Sequence, residues 1–85
     1  MANIEIYSTQ SCPSCVRAKQ LFSSKSVEYT EYLVDQDQEK FKEMKLRTNG
    51  ARTVPQIFID GEAIGGFDDL WALEKAGELD AKLAK

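Results

Sequence analysis

Ser11-Cys12-Pro13-Ser14-Cys15 is the stretch whose reading decides the fold, and it holds both cysteines of the chain. Before it, Ile4-Glu5-Ile6-Tyr7-Ser8 alternates apolar and polar side chains and reads as a strand, bounded by Thr9-Gln10-Ser11. After it, Val16 to Ser24 reads as a helix that places Cys15, Ala18, Leu21 and Phe22 on one face. Pro13 suits the first helical turn, where a missing N–H costs nothing. A C-x-x-C pair at a strand-to-helix corner is the spacing of a redox dithiol. The physical reason is the helix start, whose unpaired N–H groups and dipole favour a negative charge such as a thiolate.

Downstream, Val27 to Val34 is rich in β-branched and aromatic residues and reads as a second strand. Strand, helix and strand then form a βαβ unit, with parallel strands and a right-handed crossover. Asp35 or Asp37 can cap a second helix, Gln38 to Thr48, with Phe41, Met44 and the stem of Lys45 facing inward and Asn49-Gly50 ending it. Gln56-Ile57-Phe58-Ile59 reads as a third strand. Asp60-Gly61 is a strong hairpin signal, so Glu62-Ala63-Ile64 should return antiparallel as a fourth. Gly65-Gly66 breaks the pattern. Phe67 or Asp68 opens a third helix through Lys75, with Leu70, Trp71 and Leu73 apolar, and Gly77 stops it. Glu78 to Ala84 reads as a last helical turn or two, with Leu79 and Leu83 at i, i+4 spacing.

At 85 residues the chain is expected to be one domain, 1–85, burying roughly 60% of its unfolded surface. With 42% hydrophobic and 29% charged residues it has an ordinary globular composition. No apolar run approaches the ~20 residues of a membrane span, and no charged-then-apolar leader precedes Ile4, so the expected compartment is the cytosol. There a lone cysteine pair is catalytic or metal-binding more often than a structural staple. A Cys12–Cys15 staple would close a very short ring and constrain the unfolded chain little. Half of a shared metal site is the other alternative. Helix-corner placement favours the redox reading over both. The chain has no histidine, which excludes Cys/His zinc sites and His-assisted cysteine chemistry from its own residues. The net charge of −3 is uneven: residues 1–35 carry −1, residues 36–52 carry +2 and residues 53–85 carry −4. The basic middle is too small to argue for nucleic acid.

The order β-α-β-α-β-β-α, with three motifs placed on it, resembles a glutaredoxin. The motifs are Cys12-Pro13-Ser14-Cys15, then Thr53-Val54-Pro55 before the third strand, then Gly65-Gly66-Phe67-Asp68-Asp69-Leu70 at the third helix. Each alone is weak, but together they span residues 12–70 in the right order and are specific. The resemblance implies an α/β, thioredoxin-like (glutaredoxin) fold with a four-stranded mixed sheet flanked by helices.

Within that resemblance Cys12 is the attacking and leaving sulfur, and Cys15, one turn into the helix, is the resolving thiol. Cysteines at such helix starts titrate at ~3.5–7.5. A more stable thiolate is more abundant but less nucleophilic, so the larger benefit is in leaving a mixed disulfide. Lys19 at i+4 from Cys15, with Arg17 nearby, are candidates for added positive charge, and Arg17 reads better as a solvated residue. Proline opening a β-rich run is locally odd, and on base rates it would be trans. The family implies a cis Pro55 facing the cysteines, with Val54 N–H and C=O turned outward to pair with an extended peptide such as glutathione. The family also implies that Gly66, Phe67, Asp68 and Asp69 hold the γ-glutamyl end: N–H groups at the helix start take its carboxylate and Asp69 faces its ammonium. Capping accounts for one of the two aspartates.

Two departures stand out. Family members often carry lysine three residues before the first cysteine, where this chain has Thr9, so Lys42 and Arg52 are the candidates for the glycine-end carboxylate. Ser14 stands where tyrosine is commonest and removes an aromatic wall beside the sulfur. The expected activity is glutathione-dependent reduction of protein disulfides and glutathione mixed disulfides, by a monomer with no tightly bound cofactor, no metal and no membrane or nucleic-acid partner. Ribonucleotide reductase is a substrate expected from the family only. The alternatives are a redoxin coupled to thioredoxin reductase, and a glutathione-ligated [2Fe–2S] carrier, against which Pro13 counts.

Overall fold

Four strands, β1 (Ile4–Ser8), β2 (Thr30–Leu33), β3 (Gln56–Ile59) and β4 (Glu62–Gly65), form one sheet in the order β2-β1-β3-β4. The helices are α1 (Pro13–Ser24), α2 (Gln38–Arg47), α3 (Phe67–Lys75) and α4 (Leu79–Leu83). They are seen in a computed structural model that describes residues 2–83, so Ala84 of the expected terminal helix lies outside the described residues. β1 and β2 are parallel across α1, as the βαβ reading requires, while β1–β3 and β3–β4 are antiparallel. This is the mixed, thioredoxin-like sheet expected from the sequence.

Alternation along the strands divides the core between two faces. Ile4, Ile6, Ile57 and Ile59 pack with Ala18, Phe22, Leu70, Leu79 and Leu83 of the helices on one side. Phe22 is completely buried, and such burial contributes about 1.5–3 kcal/mol. Tyr7 and Phe58 meet Val34 and Met44 on the other side, beneath α2. The polar position Glu5 of β1 also serves that face. Its carboxylate accepts from both Nη atoms of Arg47 at 3.0 and 3.1 Å, and the guanidinium lies 3.8 Å over the Phe58 ring. Arg47 Nη1 also donates to the Tyr7 hydroxyl at 2.8 Å, and that hydroxyl donates to Glu43. The Tyr7 phenol is pushed up to about 12 by burial and then by its bond to Glu43.

The second strand is shorter than the sequence suggests. Val27 to Tyr29 are not strand, because α1 ends in a Schellman turn: Ser26 has φ +59°, its N–H bonds to Ser23 O, and the Val27 N–H bonds to Phe22 O. Val27 is apolar because it packs against the core cluster that contains Phe22. Asp37, rather than Asp35, caps α2 by accepting the Lys40 N–H at 3.2 Å. Asp35 instead accepts the Gln10 N–H at 3.4 Å. The α2 helix stops at Arg47, with Thr48 as C-cap and Asn49 left-handed at φ +62°. Asp60 and Gly61 both take positive φ, 51° and 82°, the conformation of a tight hairpin turn.

Strand direction brings the motifs together. β1 leaves the sheet at the end where β3 enters it, and β4, antiparallel to β3, returns to that same end. The loops before α1, before β3 and before α3 therefore converge, although 40 residues of chain separate Cys12 from Arg52.

Candidate active site

Cys12 is the N-cap of α1, with extended φ −106° and ψ 108°. Its Sγ accepts the Cys15 N–H at 3.2 Å, the position a Ser or Asp oxygen takes in an ordinary cap. Pro13 follows in the first turn, as expected. Both cysteines are free thiols; Cys12 is half-buried and Cys15 is fully buried. As a thiol, Cys12 donates to the Val54 carbonyl at 3.7 Å. As a thiolate it would keep the Cys15 N–H. The Cys15 thiol is pushed up to about 12, first by burial and then by its bond with Cys12, while the Thr9 backbone and the Lys19 charge pull the other way.

One wall beside Cys12 is the Thr53–Pro55 loop. The Val54–Pro55 peptide bond is cis. Among the described residues nothing accepts the Val54 N–H, so that edge of the backbone is open. Gln56 holds the loop from below: its Nε2 donates to the Thr53 carbonyl at 3.0 Å and to Thr53 Oγ1 at 3.2 Å. Sequence reasoning missed Gln56. The available signal was a polar residue opening a strand whose other members, Ile57, Phe58 and Ile59, are all apolar and buried.

The facing wall is the β4–α3 junction. Opposite Ile57 and Phe58, β4 carries one extra residue, which turns Gly65 toward the helix start. Gly65 has φ +113°. Gly66 is the N-cap of α3, and Asp69 Oδ2 accepts its N–H at 3.1 Å. Asp69 is therefore the capping aspartate, and Asp68 is exposed with no hydrogen-bond partner among the described residues. Phe67 packs toward the core and stacks on Trp71, with ring centroids 6.1 Å apart.

Between the walls lies a cavity of ≈ 330 Å³ bordered by Thr53, Val54, Pro55 and Gln56, by Gly65 to Asp69, and by Ser14 at its edge. That volume suits a small peptide. It combines an open backbone edge, a helix N-terminus for an anion and two carboxylates for a cation. Arg52 is exposed and adjoins Thr53 in the chain. Lys42 is not part of this cavity; it lines separate hollows beside Leu46 on the outer side of α2. Arg17 is exposed, as read, whereas Lys19 is half-buried in an ion pair with Glu31. Among the described residues no three His, Cys, Asp or Glu side chains are grouped to hold a metal ion.

Comparison with known proteins agrees with this geometry. The family model described as Glutaredoxin matches residues 4–64, so it covers the first two motifs and stops just before Gly65. Glutaredoxin 3 of Escherichia coli is 52% identical over 83 residues, which cover 98% of this chain and 99% of the relative. A glutaredoxin of Pseudomonas aeruginosa is 48% identical over 84 residues, covering 99% of each. Among solved structures, a buckwheat glutaredoxin in complex with glutathione superposes with a TM-score of 0.88 at 29% identity, over 98% of this chain and 77% of that one.

Proposed function

The chain belongs to the glutaredoxin family and is a thiol–disulfide oxidoreductase that depends on glutathione, and from that premise we propose that Cys12 is its nucleophile and Cys15 its resolving thiol. The observation that carries this assignment is the Cys12 sulfur, seated at a helix start on the Cys15 N–H at 3.2 Å and beside the open Val54 edge. With a glutathionylated substrate, the Cys12 thiolate attacks the glutathione sulfur. The substrate thiolate leaves and takes up a proton. A second glutathione thiolate then attacks the bound glutathione, which frees Cys12 and leaves glutathione disulfide. With a protein disulfide, Cys12 attacks first and Cys15 displaces the substrate. Two glutathiones then reduce the Cys12–Cys15 bond.

In this reading glutathione lies extended along Val54. Its γ-glutamyl carboxylate meets the N–H groups that open α3 after Gly66 and Phe67, and its ammonium lies near Asp68 and the unused oxygen of Asp69. Arg52 takes the glycine-end carboxylate; Lys42, on the outside of α2, is the less suited of the two cations. The solved complex of the buckwheat relative supports glutathione as the ligand. We further propose that the protein acts as one domain and as a monomer in the cytoplasm, without a tightly bound cofactor, on disulfide-containing or glutathionylated proteins.

The test is a coupled assay with glutathione, glutathione reductase and a small glutathione mixed disulfide. Cys12→Ser should abolish exchange, while Cys15→Ser should retain reduction of the mixed disulfide and lose protein-disulfide reduction. Full activity in Cys12→Ser would overturn the assignment.

A further inference from the structure

Resolution by Cys15 asks a fully buried thiol to become an anion. Burial opposes that charge unless a positive group or a hydrogen-bond donor compensates it. On its own helix Cys15 faces Cys12 and, one turn on, Lys19; from the preceding loop it meets the Thr9 backbone. Lys19 does not extend into solvent. Its Nζ lies 2.7 Å from Glu31 Oε2, and the two side chains are only 26% and 28% exposed. The same Glu31 oxygen accepts the hydroxyl of Ser8 at 2.6 Å, and Ser8 is fully buried at the end of β1. Two strands thus fix the carboxylate, and the carboxylate fixes the lysine one helical turn beyond Cys15. Tyr29 is the other titratable group whose charge reaches Lys19.

We propose that the Lys19–Glu31 pair, anchored on Ser8, sets how readily Cys15 gives up its proton and so paces the resolving step independently of attack by Cys12. This rests on the dithiol reading above. The electrostatics are reciprocal: the Lys19 charge favours the Cys15 thiolate, and that thiolate raises Lys19. Lys19 and Glu31 are both positioning residues, and they act with opposite sign. Removing Lys19 withdraws the compensating charge and leaves Glu31 to repel the anion. Neutralising Glu31 releases the full lysine charge to Cys15. The Lys19 charge is the smallest of the causes acting on Cys15; a unit charge ~10 Å away at an effective dielectric of ~20 moves a titration by about one pH unit. Far below the Cys15 titration, one unit is about a tenfold change in thiolate fraction at every pH, and the opposing change in nucleophilicity leaves about threefold in rate.

The experiment is stopped-flow oxidation of the reduced full-length protein by an aromatic disulfide, dithiobis(nitrobenzoate). Cys12 thiolate attacks it, forms a mixed disulfide and expels one coloured thiolate. Cys15 then loses its proton and attacks the Cys12 sulfur, forming the Cys12–Cys15 bond and expelling the second. Both thiols are oxidised and the reagent is reduced to two thiolates. Lys19→Met should slow the second phase about threefold between pH 6 and 8. Glu31→Gln, which keeps an acceptor for Ser8 and Lys19, should speed it about twofold. Lys19→Arg should stay within about 1.5-fold. Shifts in the same direction for Lys19→Met and Glu31→Gln, or shifts below about 1.5-fold in both, overturn the proposal. If Lys19→Met does not fold, the sign of the Glu31→Gln effect decides. A first phase that survives in Cys12→Ser, or a second that survives in Cys15→Ser, refutes the dithiol assignment instead.

Discussion

Gly65→Ala is the substitution by which the cradle facing Cys12 can be tested most directly. Gly65 sits at φ +113°, where a β-carbon is disfavoured at a cost of ~1–3 kcal/mol. The added carbon would also lie 2.9 Å from Asp69 Cγ and closer still to its Oδ2, so the Asp69 side chain must swing away. That breaks the bond from the Gly66 N–H to Asp69, a cap contact worth about 1 kcal/mol. The expected total is ~2–4 kcal/mol, or on the order of 10–25 °C in Tm for a domain of this size. Because the second part of the loss acts through Asp69, Asp69→Ala should suffer it in advance. Urea titrations of wild type, the two single variants and the double variant measure the coupling. Gly65→Ala should cost ~1 kcal/mol less in the Asp69→Ala background, and Gly65→Ala should raise KM for a glutathionylated substrate several-fold. Costs that add within ~0.3 kcal/mol would show that the glycine and the cap are independent, and would refute the reasoning.

Arg47→Met should destabilise the protein by ~2–3 kcal/mol in urea, since Glu5 and Tyr7 lose a shared half-buried donor; the same substitution on a Glu5→Gln background should cost less. Acid stability should depend on Glu31 and Glu43. Burial raises the Glu31 carboxyl, but its bonds to Lys19 and Ser8 outweigh that and hold it low; the Tyr7 hydroxyl is the main cause that holds Glu43 low. Groups depressed on folding stabilise above the ordinary carboxyl range and lose that contribution as pH falls through their folded values. Urea midpoints of Glu43→Gln should therefore fall less than those of wild type from pH 5 to pH 3.

Patterns carried by adjacent residues were readable, and contacts carried by topology were not. β1 appears with its expected bounds because Ile4 to Tyr7 alternates and the polar run after it is unambiguous. Helix α1 is legible from Pro13 and the Cys15, Ala18, Phe22 stripe. The second strand is shorter than its residues suggest because the left-handed residue that ends α1 is Ser26 rather than a glycine, so Val27 lacks the usual punctuation before it. The Cys-Pro-Ser-Cys corner and the Gly-Phe-Asp-Asp helix start are local signals, and both fall on the shared site. Which aspartate caps and which stays unpartnered was not legible, since it depends on the angle at which β4 delivers Gly65 to α3. Gln56, Glu31 and Ser8 were missed for a related reason. A glutamate beside Thr30 on β2 reads as solvent-facing until the parallel crossover sets α1 above it.

That crossover also explains how a chain without histidine can place a charge behind its resolving cysteine. Ion pairing raises Lys19 through its bond to Glu31, and lowers Glu31 against the opposing effect of burial. Both shifts move the partners away from neutrality rather than toward it. The pair therefore stays ionised across the range in which glutathione exchange proceeds, and its field at Cys15 is constant. A histidine in the same place would switch that field on and off between pH 6 and 7. Here the pH dependence of resolution is left to the Cys15 thiol alone, which burial places far above neutral pH. Its rate should then rise steadily with pH, without the falling limb that a second titrating group would impose. The Lys19–Glu31 pair sets the height of that line and leaves its slope unchanged.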